Sequence, residues 1–231
     1  MSRYVFIAGC ARSGTTLMQD LMSCFQNTYV VPGESHFDRF DDATLPRGNV
    51  VVKRTHQTYQ TLEHLPTNIT LIYMLRHPFD TLTSHHPDFP KRRYYVSKRR
   101  WRDEYRALKM LRCRQPQRSI IYVRYSDLVS DPDGVQARIA ESAGLEVQTS
   151  FSQSGETFFM NSSGRYERNP DAARYLRRMS DAVLTEIEEY CREFGFSLPV
   201  GFVKPGKFYR AAQTLGRGLK KVRKQFFRRA R

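Results

Sequence analysis

The fold is decided by residues 4–16, which read YVFIAGCARSGTT. Residues 4–9 form an apolar run long enough for one buried strand, and Gly9 and Gly14 frame the turn that follows it. Apolar residues then recur at helical spacing, at Leu17, Met18, Leu21, Met22 and Phe25. A strand, a glycine turn and a helix start together cradle phosphate, because backbone N–H groups and the helix N-terminus present positive charge to it. We therefore predict a phosphate-binding loop between the first strand and the first helix.

The position of the loop's cation argues against a loop of the ATP type. That loop requires a lysine directly after its second glycine, whereas Thr15 follows Gly14 in this chain. The cation of the loop is Arg12, two residues before Gly14. This displacement favours a phosphate-bearing donor other than ATP.

A second pair of polar residues follows the strand predicted near residues 69–75. Arg76 ends this strand, and Ser84 stands eight residues later, about two turns into the helix that we expect to follow. Parallel sheets bind ligands in the crevice at the carboxyl ends of their strands. An arginine and a hydroxyl that converge there suit a phosphate monoester.

Both motifs resemble those of sulfotransferases that use 3′-phosphoadenosine 5′-phosphosulfate (PAPS). The 5′-phosphate loop of this family carries a Lys or Arg followed by Ser/Gly-Gly-Thr, and its 3′-phosphate motif has an Arg followed eight residues later by a Ser. The resemblance implies that the nucleotide is bound by Arg12, Ser13, Gly14, Thr15, Thr16, Arg76 and Ser84.

Two further segments extend the resemblance. Residues 120–132 resemble the family strand that ends in Tyr-Glu-Asp-Leu before an Asp-Pro and a helix, although a serine replaces the glutamate. Tyr125 corresponds to the tyrosine that packs near the adenine. The segment at residues 161–166 resembles a late family loop of the type Ser-x-Gly-Arg-aromatic, which closes over the nucleotide. That likeness implies nucleotide contacts for Ser163, Gly164 and Arg165; a surface loop without such contacts is the alternative.

The order of the elements indicates an α/β fold with a parallel sheet flanked by helices. Strands are predicted near residues 4–9, 28–31, 50–53, 69–75 and 119–124. The resemblance makes this the sulfotransferase fold, which is similar to that of P-loop nucleoside triphosphate hydrolases. We predict a sulfotransferase domain at residues 1–203 and a separate basic tail at residues 204–231.

Sulfuryl transfer needs cations near the leaving group and a base near the acceptor. Arg12 is the leaving-group cation by its loop position, and Lys53, at a strand end, resembles a lysine that serves this purpose in glycan sulfotransferases.

Two residues compete for the base. Glu34 resembles the base of glycan and bacterial enzymes, and His56 resembles that of cytosolic small-molecule enzymes. We favour Glu34, because its segment aligns without a gap whereas one residue is inserted before His56.

The positive charge is concentrated in two stretches of the chain. The formal net charge of the chain is +15, and the tail contributes +11 of it, because it contains eleven Lys and Arg residues and no acid. Apolar residues recur in the tail at helical spacing. Such a basic amphipathic helix binds an anionic membrane surface or packs on its own domain; nucleic acid is the less favoured partner. The second stretch, residues 91–102, mixes cations with Tyr94, Tyr95 and Trp101. It either borders an acceptor pocket or begins a solvated helix at residues 96–114.

We therefore expect an enzyme that transfers a sulfuryl group from PAPS to a hydroxyl or amine, with 3′-phosphoadenosine 5′-phosphate (PAP) as product and no metal. The acceptor is left open among glycan, lipid, peptide and small metabolite. The alternatives are an ATP-dependent phosphotransferase of the P-loop kinase type and a non-catalytic protein that binds membrane or nucleic acid. Scattered cysteines and the lack of a signal peptide or membrane-spanning stretch predict a cytoplasmic protein, with peripheral membrane contact through the tail as an additional hypothesis.

Overall fold

The computed structural model describes residues 3–41, 44–86, 89, 93–154 and 179–198. The strands are β1 (Arg3–Gly9), β2 (Thr28–Val30), β3 (Asn49–Lys53), β4 (Thr70–Leu75) and β5 (Ile120–Arg124). The α-helices are α1 (Thr15–Met22), α2 (Pro78–Leu82), α3 (Lys98–Arg114), α4 (Tyr125–Ser130), α5 (Pro132–Ala143) and α6 (Asp181–Phe194). Short 3-10 helices lie at Phe37–Asp41, Thr58–Gln60, Leu62–His64 and Phe151–Gln153. The predicted tail at residues 204–231 and its boundary at residue 203 lie outside the described residues.

The five strands form one parallel sheet in the order β2-β3-β1-β4-β5. From β1 the chain passes to β2 and then β3, which both lie on one side of β1. From β3 it crosses over to β4, which lies on the other side of β1. The crevice at this change of direction opens at the carboxyl end of β1, where the predicted phosphate loop begins. The α/β prediction is thus confirmed, and each predicted strand agrees with the observed one to within one residue at either end.

Helices cover both faces of the sheet, which explains why its central strands β1, β3 and β4 read as continuous apolar runs. Successive side chains of a strand point to opposite faces. Phe6 and Val52 therefore pack towards α3 and α6, in a cluster that includes Leu108. Val5 and Ile7 pack on the other face, towards α1 and α5.

Helix α3 begins at the N-cap Ser97, whose hydroxyl accepts a hydrogen bond from the backbone N–H of Arg100 at 3.1 Å. Trp101 is a core residue that is only 2% exposed, so its side chain belongs to neither the acceptor surface nor the solvated helix face that the sequence left open. Its indole packs against Tyr105 and Tyr190 because it stands on the apolar side of the helix.

Several cations of α3 are neutralised by acids of α6. Arg102 donates two hydrogen bonds to Glu186, at 2.7 and 2.9 Å, and Arg106 donates a third at 2.8 Å. Two further ion pairs of this interface are Lys109–Glu189 and Arg112–Glu193. These basic side chains join two helices and are not available to an anionic ligand.

Candidate functional site

The segment between β1 and α1 folds as a compact turn. Three of its residues have positive φ: Gly9 at 138°, Arg12 at 69° and Gly14 at 95°. The N–H of Ser13 donates to the carbonyl of Cys10 at 3.0 Å. The left-handed Gly14 is the N-cap of α1, so the free N–H groups of the first helical turn face the carboxyl edge of the sheet.

Two polar atoms of this turn are buried without a protein hydrogen-bond partner. They are the hydroxyl of Ser13, a residue that is only 1% exposed, and Nε of Arg12. Buried polar groups are nearly always hydrogen-bonded. A phosphate oxygen would satisfy both atoms, so the turn fits an anionic group at the N-terminus of α1.

Arg76 at the end of β4 is attached directly to this turn. Its Nη1 donates to the carbonyl of Arg12 at 2.7 Å. Its guanidinium carbon lies 4.3 Å from the centroid of the Tyr125 ring, which is cation–π distance. Tyr125 in turn packs on Gly14, where an added Cβ would meet the ring at 2.5 Å. Four residues that were predicted to bind nucleotide thus meet in one place.

Ser84 does not stand where its spacing predicted. Helix α2 ends at Leu82, so Ser84 lies two residues past the helix instead of two turns into it. The hydroxyls of Thr81, Thr83 and Ser84 each donate to the carbonyl four residues earlier, and such back-bonding competes with a regular helix. Ser84 is 5% exposed, and its hydroxyl donates to the carbonyl of Asp80 at 2.7 Å.

Lys53 reaches the phosphate loop from the neighbouring strand. The residue is the last of β3 and only 7% exposed. Its Nζ donates to the hydroxyl of Thr16 at 3.1 Å, so its ammonium group stands at the first turn of α1. The structure therefore brings this predicted cation to the same loop as Arg12.

Glu34 lies on the loop that follows β2 and returns to the sheet edge. The backbone N–H of Ser35 donates to the carbonyl of Lys53 at 2.8 Å, and Ser35 forms a parallel bridge with Arg54. Gln19 of α1 holds the other side of the loop by donating to the carbonyls of Val31 and Gly33. Glu34 is exposed between these attachments, one residue from the backbone contact with Lys53.

The competing base, His56, is also exposed and lies three residues after Lys53. Its carbonyl accepts a hydrogen bond from Arg100 at 2.7 Å, which fixes the backbone of this segment. His36, two residues after Glu34, contacts a different segment: its Nε2 lies 2.6 Å from the hydroxyl of Thr61. His56 thus lies three residues after Lys53 in the sequence, and Glu34 lies beside the backbone bond from Ser35 to Lys53, at the same carboxyl edge.

A buried ion pair behind the loop was missed by sequence reasoning. Arg54 and Glu104 are each 3% exposed, and Nη1 of Arg54 donates to Glu104 at 2.7 Å and to the carbonyl of Gly9 at 3.1 Å. Burial raises the pKa of Glu104, while the charges of Arg54 and Arg100 oppose that rise. Burial also raises the pKa of Cys10 well above its usual range, and Glu104 adds to the effect. Because fifty positions separate Arg54 from Glu104, no local motif reveals the pair.

Ser163, Gly164 and Arg165 lie outside the described residues. Within the described ranges, no group of three or more His, Cys, Asp or Glu side chains is arranged to hold a metal ion. In the same ranges every helix is too short or too polar to cross a membrane.

Residues 54–149 match the family model described as "Sulfotransferase family". The resemblance to sulfotransferases is confirmed. The matched segment includes Arg76, Ser84 and Tyr125, whereas the phosphate loop, Glu34 and Lys53 precede it. Among curated proteins, none matches the chain.

Solved sulfotransferase structures share the fold. The sulfotransferase domain of an olefin synthase from Synechococcus PCC 7002 is 18% identical, with a TM-score of 0.59 over 85% of this chain and 96% of that one. A sulfotransferase domain from the curacin biosynthetic pathway is 15% identical, with a TM-score of 0.56 over 86% and 99%. A sulfotransferase from Alicyclobacillus acidocaldarius is 16% identical, with a TM-score of 0.53 over 81% and 94%. At these identities the likeness establishes the fold, and together with the family match it supports a sulfotransferase.

Proposed function

We propose that the protein transfers a sulfuryl group from PAPS to a hydroxyl or amine of an acceptor. The observation that carries this proposal is the attachment of Arg76 to the phosphate loop through the carbonyl of Arg12 and the ring of Tyr125. Two cationic positions are thereby joined, one in the loop and one at the end of β4. A nucleotide with phosphates at both 5′ and 3′ positions requires two such positions, whereas ATP requires one.

The loop would bind the 5′-phosphate. The N–H groups at the start of α1, the Ser13 hydroxyl and the Arg12 guanidinium supply hydrogen bonds and positive charge there. Arg76 would bind the 3′-phosphate, together with Ser84 once its hydroxyl turns from the carbonyl of Asp80. We include Ser163, Gly164 and Arg165 in this proposal as ligands that close over the nucleotide.

The donor supplies the sulfuryl group, and the residues of the chain supply charge and a base. Lys53 and Arg12 stabilise the negative charge that grows on the 5′-phosphate as the bond from its oxygen to sulfur breaks. Glu34 accepts the proton of the acceptor as the new bond to sulfur forms. His56 is the alternative base, because it lies at the same edge. Arginine, lysine and backbone N–H groups meet the charges of the donor, so we propose a reaction without metal.

We propose a glycan, lipid, peptide or small metabolite as acceptor and a cytoplasmic location for the enzyme. The tail at residues 204–231, with its eleven cations, supports contact with an anionic membrane more than with nucleic acid.

Calorimetry with PAP, adenosine 5′-phosphate and ATP tests the nucleotide assignment. We expect PAP to bind most tightly. Equal affinity for adenosine 5′-phosphate and PAP would overturn the 3′-phosphate site, and tighter magnesium-dependent binding of ATP would favour a phosphotransferase. Incubation with isotope-labelled PAPS and acceptor panels, read by mass spectrometry for the gain of one SO₃ group, then identifies the acceptor.

A further inference from the structure

The entrance of the phosphate loop is held by a buried arginine. At Gly9 the chain leaves β1, and the carbonyl of Gly9 accepts from Nη1 of Arg54 at 3.1 Å. The opposite side of Gly9 is closed by β4, because an added Cβ would stand 2.7 Å from the carbonyl oxygen of Met74. The backbone at this point is therefore enclosed between one guanidinium and the neighbouring strand.

The other end of the loop is held by the residue that precedes Arg54. Lys53 donates to the hydroxyl of Thr16, in the first turn of α1. Consecutive residues of one strand end thus bind the two ends of the loop. The backbone N–H of Arg54 also donates to the carbonyl of Ile7 at 2.9 Å, which fixes this dipeptide against β1.

Glu104 connects the arginine to a second segment of the site. Its Oε1 accepts from Arg54 at 2.7 Å and from Arg100 at 3.4 Å. Arg100 donates in addition to the carbonyl of His56. The carboxylate therefore ties the loop entrance to the segment that carries one of the candidate bases.

Stability alone does not account for this pair. Replacing a buried ion pair with apolar residues of similar volume is often neutral or stabilising, because removing two charges from water costs more than their attraction returns. The Arg54–Glu104 pair also binds the carbonyl of Gly9, at the start of the phosphate loop. It fixes the direction in which the loop presents its N–H groups.

We propose that the Arg54–Glu104 pair is a positioning device for the phosphate loop. Arg54 fixes the carbonyl of Gly9, and Glu104 neutralises and orients Arg54. The inference rests on the proposed function only in the measurement of affinity for PAP. The conformation of the nucleotide-free loop does not depend on the proposed function.

The test is the double variant Arg54→Met/Glu104→Leu in the full-length protein. We expect it to fold with a melting temperature close to that of the wild type. Its Kd for PAP should rise about tenfold, the equivalent of one lost charge-assisted hydrogen bond. Hydrogen exchange at the amides of Ser13, Gly14 and Thr15, measured without nucleotide, should become faster.

The matched control is Arg118→Met. Arg118 also donates to backbone carbonyls, those of Leu65, Pro66 and Ile69, but at the amino end of β4. This variant should lower the melting temperature and leave both the affinity for PAP and the exchange of the loop amides unchanged.

The outcomes separate the two proposals. A folded double variant with wild-type loop exchange would overturn the positioning role. If the wild-type protein does not bind PAP, the proposed function fails, and faster loop exchange in the double variant still supports positioning. If the double variant does not fold, Glu104→Gln, which removes the charge that neutralises Arg54 at nearly the same side-chain volume, is compared by the same exchange measurement: faster exchange of the loop amides supports the inference and wild-type exchange refutes it.

Discussion

The guanidinium of Arg76 lies over the ring of Tyr125 at 4.3 Å, and that ring occupies the space beside Gly14 into which a side chain would project. Three motifs from separate parts of the sequence are thus in direct contact. The position of Arg76 depends on a tyrosine, and the position of the tyrosine depends on a glycine. A change at Gly14 should therefore affect both phosphate positions.

Gly14→Ala is expected to weaken the binding of PAP by at least about tenfold. The new Cβ would stand 2.5 Å from Tyr125, and an alanine at a φ of 95° adds strain of about 1–2 kcal/mol. Gly144→Ala is the control: its φ is 62°, but its nearest neighbour is the Arg3 side chain at 3.4 Å. The control should lose some stability and keep the affinity for PAP. Calorimetry that shows equal binding by Gly14→Ala and the wild type would contradict this account.

Arg76→Ala should reduce the affinity for PAP by about 2–3 kcal/mol, the scale of a lost charge-assisted contact. The affinity for adenosine 5′-phosphate should change much less, because that ligand lacks the 3′-phosphate. Tyr125→Phe keeps an aromatic ring beneath the guanidinium and serves as the conservative control. An equal loss for both nucleotides would mean that Arg76 acts through the loop alone, by its bond to the carbonyl of Arg12.

Glu34→Gln should leave the Kd for PAP unchanged and lower turnover by roughly 10²–10⁴-fold, the usual contribution of a positioned base. His56→Ala should reduce turnover less. Single-turnover transfer from labelled PAPS measures both variants. The reverse order of effects would assign the base to His56.

The fold could be predicted because its three central strands, β1, β3 and β4, are buried on both faces, so each is a short apolar run that the sequence displays directly. The phosphate loop could be predicted because Gly9 and Gly14 stand at positions that need positive φ. The exact end of α2 could not, because the sequence does not display that the backbone N–H of Ser84 donates to Thr81, three residues earlier, where a continued α-helix would use the fourth. The spacing from Arg76 to Ser84 is compatible both with a helix that includes Ser84 and with one that ends before it.

Contacts between segments that are far apart in the sequence could not be predicted either. The carboxylate of Glu104 has no periodic relation to Arg54, and the acids of α6 have none to the arginines of α3 that they bind. The sequence therefore left residues 91–102 open between a ligand surface and a solvated helix, although Trp101 is in the core and Arg102 pairs with Glu186. Only the packing of α3 against α6 shows which cations of α3 already pair with a carboxylate.

The tail should bind vesicles that contain anionic lipid. Replacing Lys220, Lys221, Arg223 and Lys224 with Gln should weaken that binding by about 1 kcal/mol for each charge. Salt should weaken the binding of the wild type as the Debye length shortens. Co-sedimentation with anionic and with zwitterionic vesicles measures the effect. Equal binding to both vesicle types, or no effect of the substitutions, would contradict the membrane proposal.

The contact between α3 and α6 should depend on pH through Glu186. Hydrogen bonds from Arg102, and then from Arg106, lower the pKa of this carboxyl. A carboxylate whose pKa is lower in the folded state contributes stability above its unfolded pKa of about 4.3, and that stability disappears as the pH falls through the folded value. Glu186→Gln should therefore cost about 1–2 kcal/mol at neutral pH, the scale of hydrogen bonds to a charged group.

The difference between Glu186→Gln and the wild type should shrink as the pH falls below about 4. Urea denaturation of both proteins between neutral and acidic pH measures it, and other carboxyls that titrate in this range contribute equally to the two. Glu189→Gln is the control, because Glu189 binds only the half-exposed Lys109 among the described residues, at 3.2 Å; it should cost less than about 0.5 kcal/mol. A difference for Glu186→Gln that stays constant with pH would show that the carboxylate charge does not stabilise the interface.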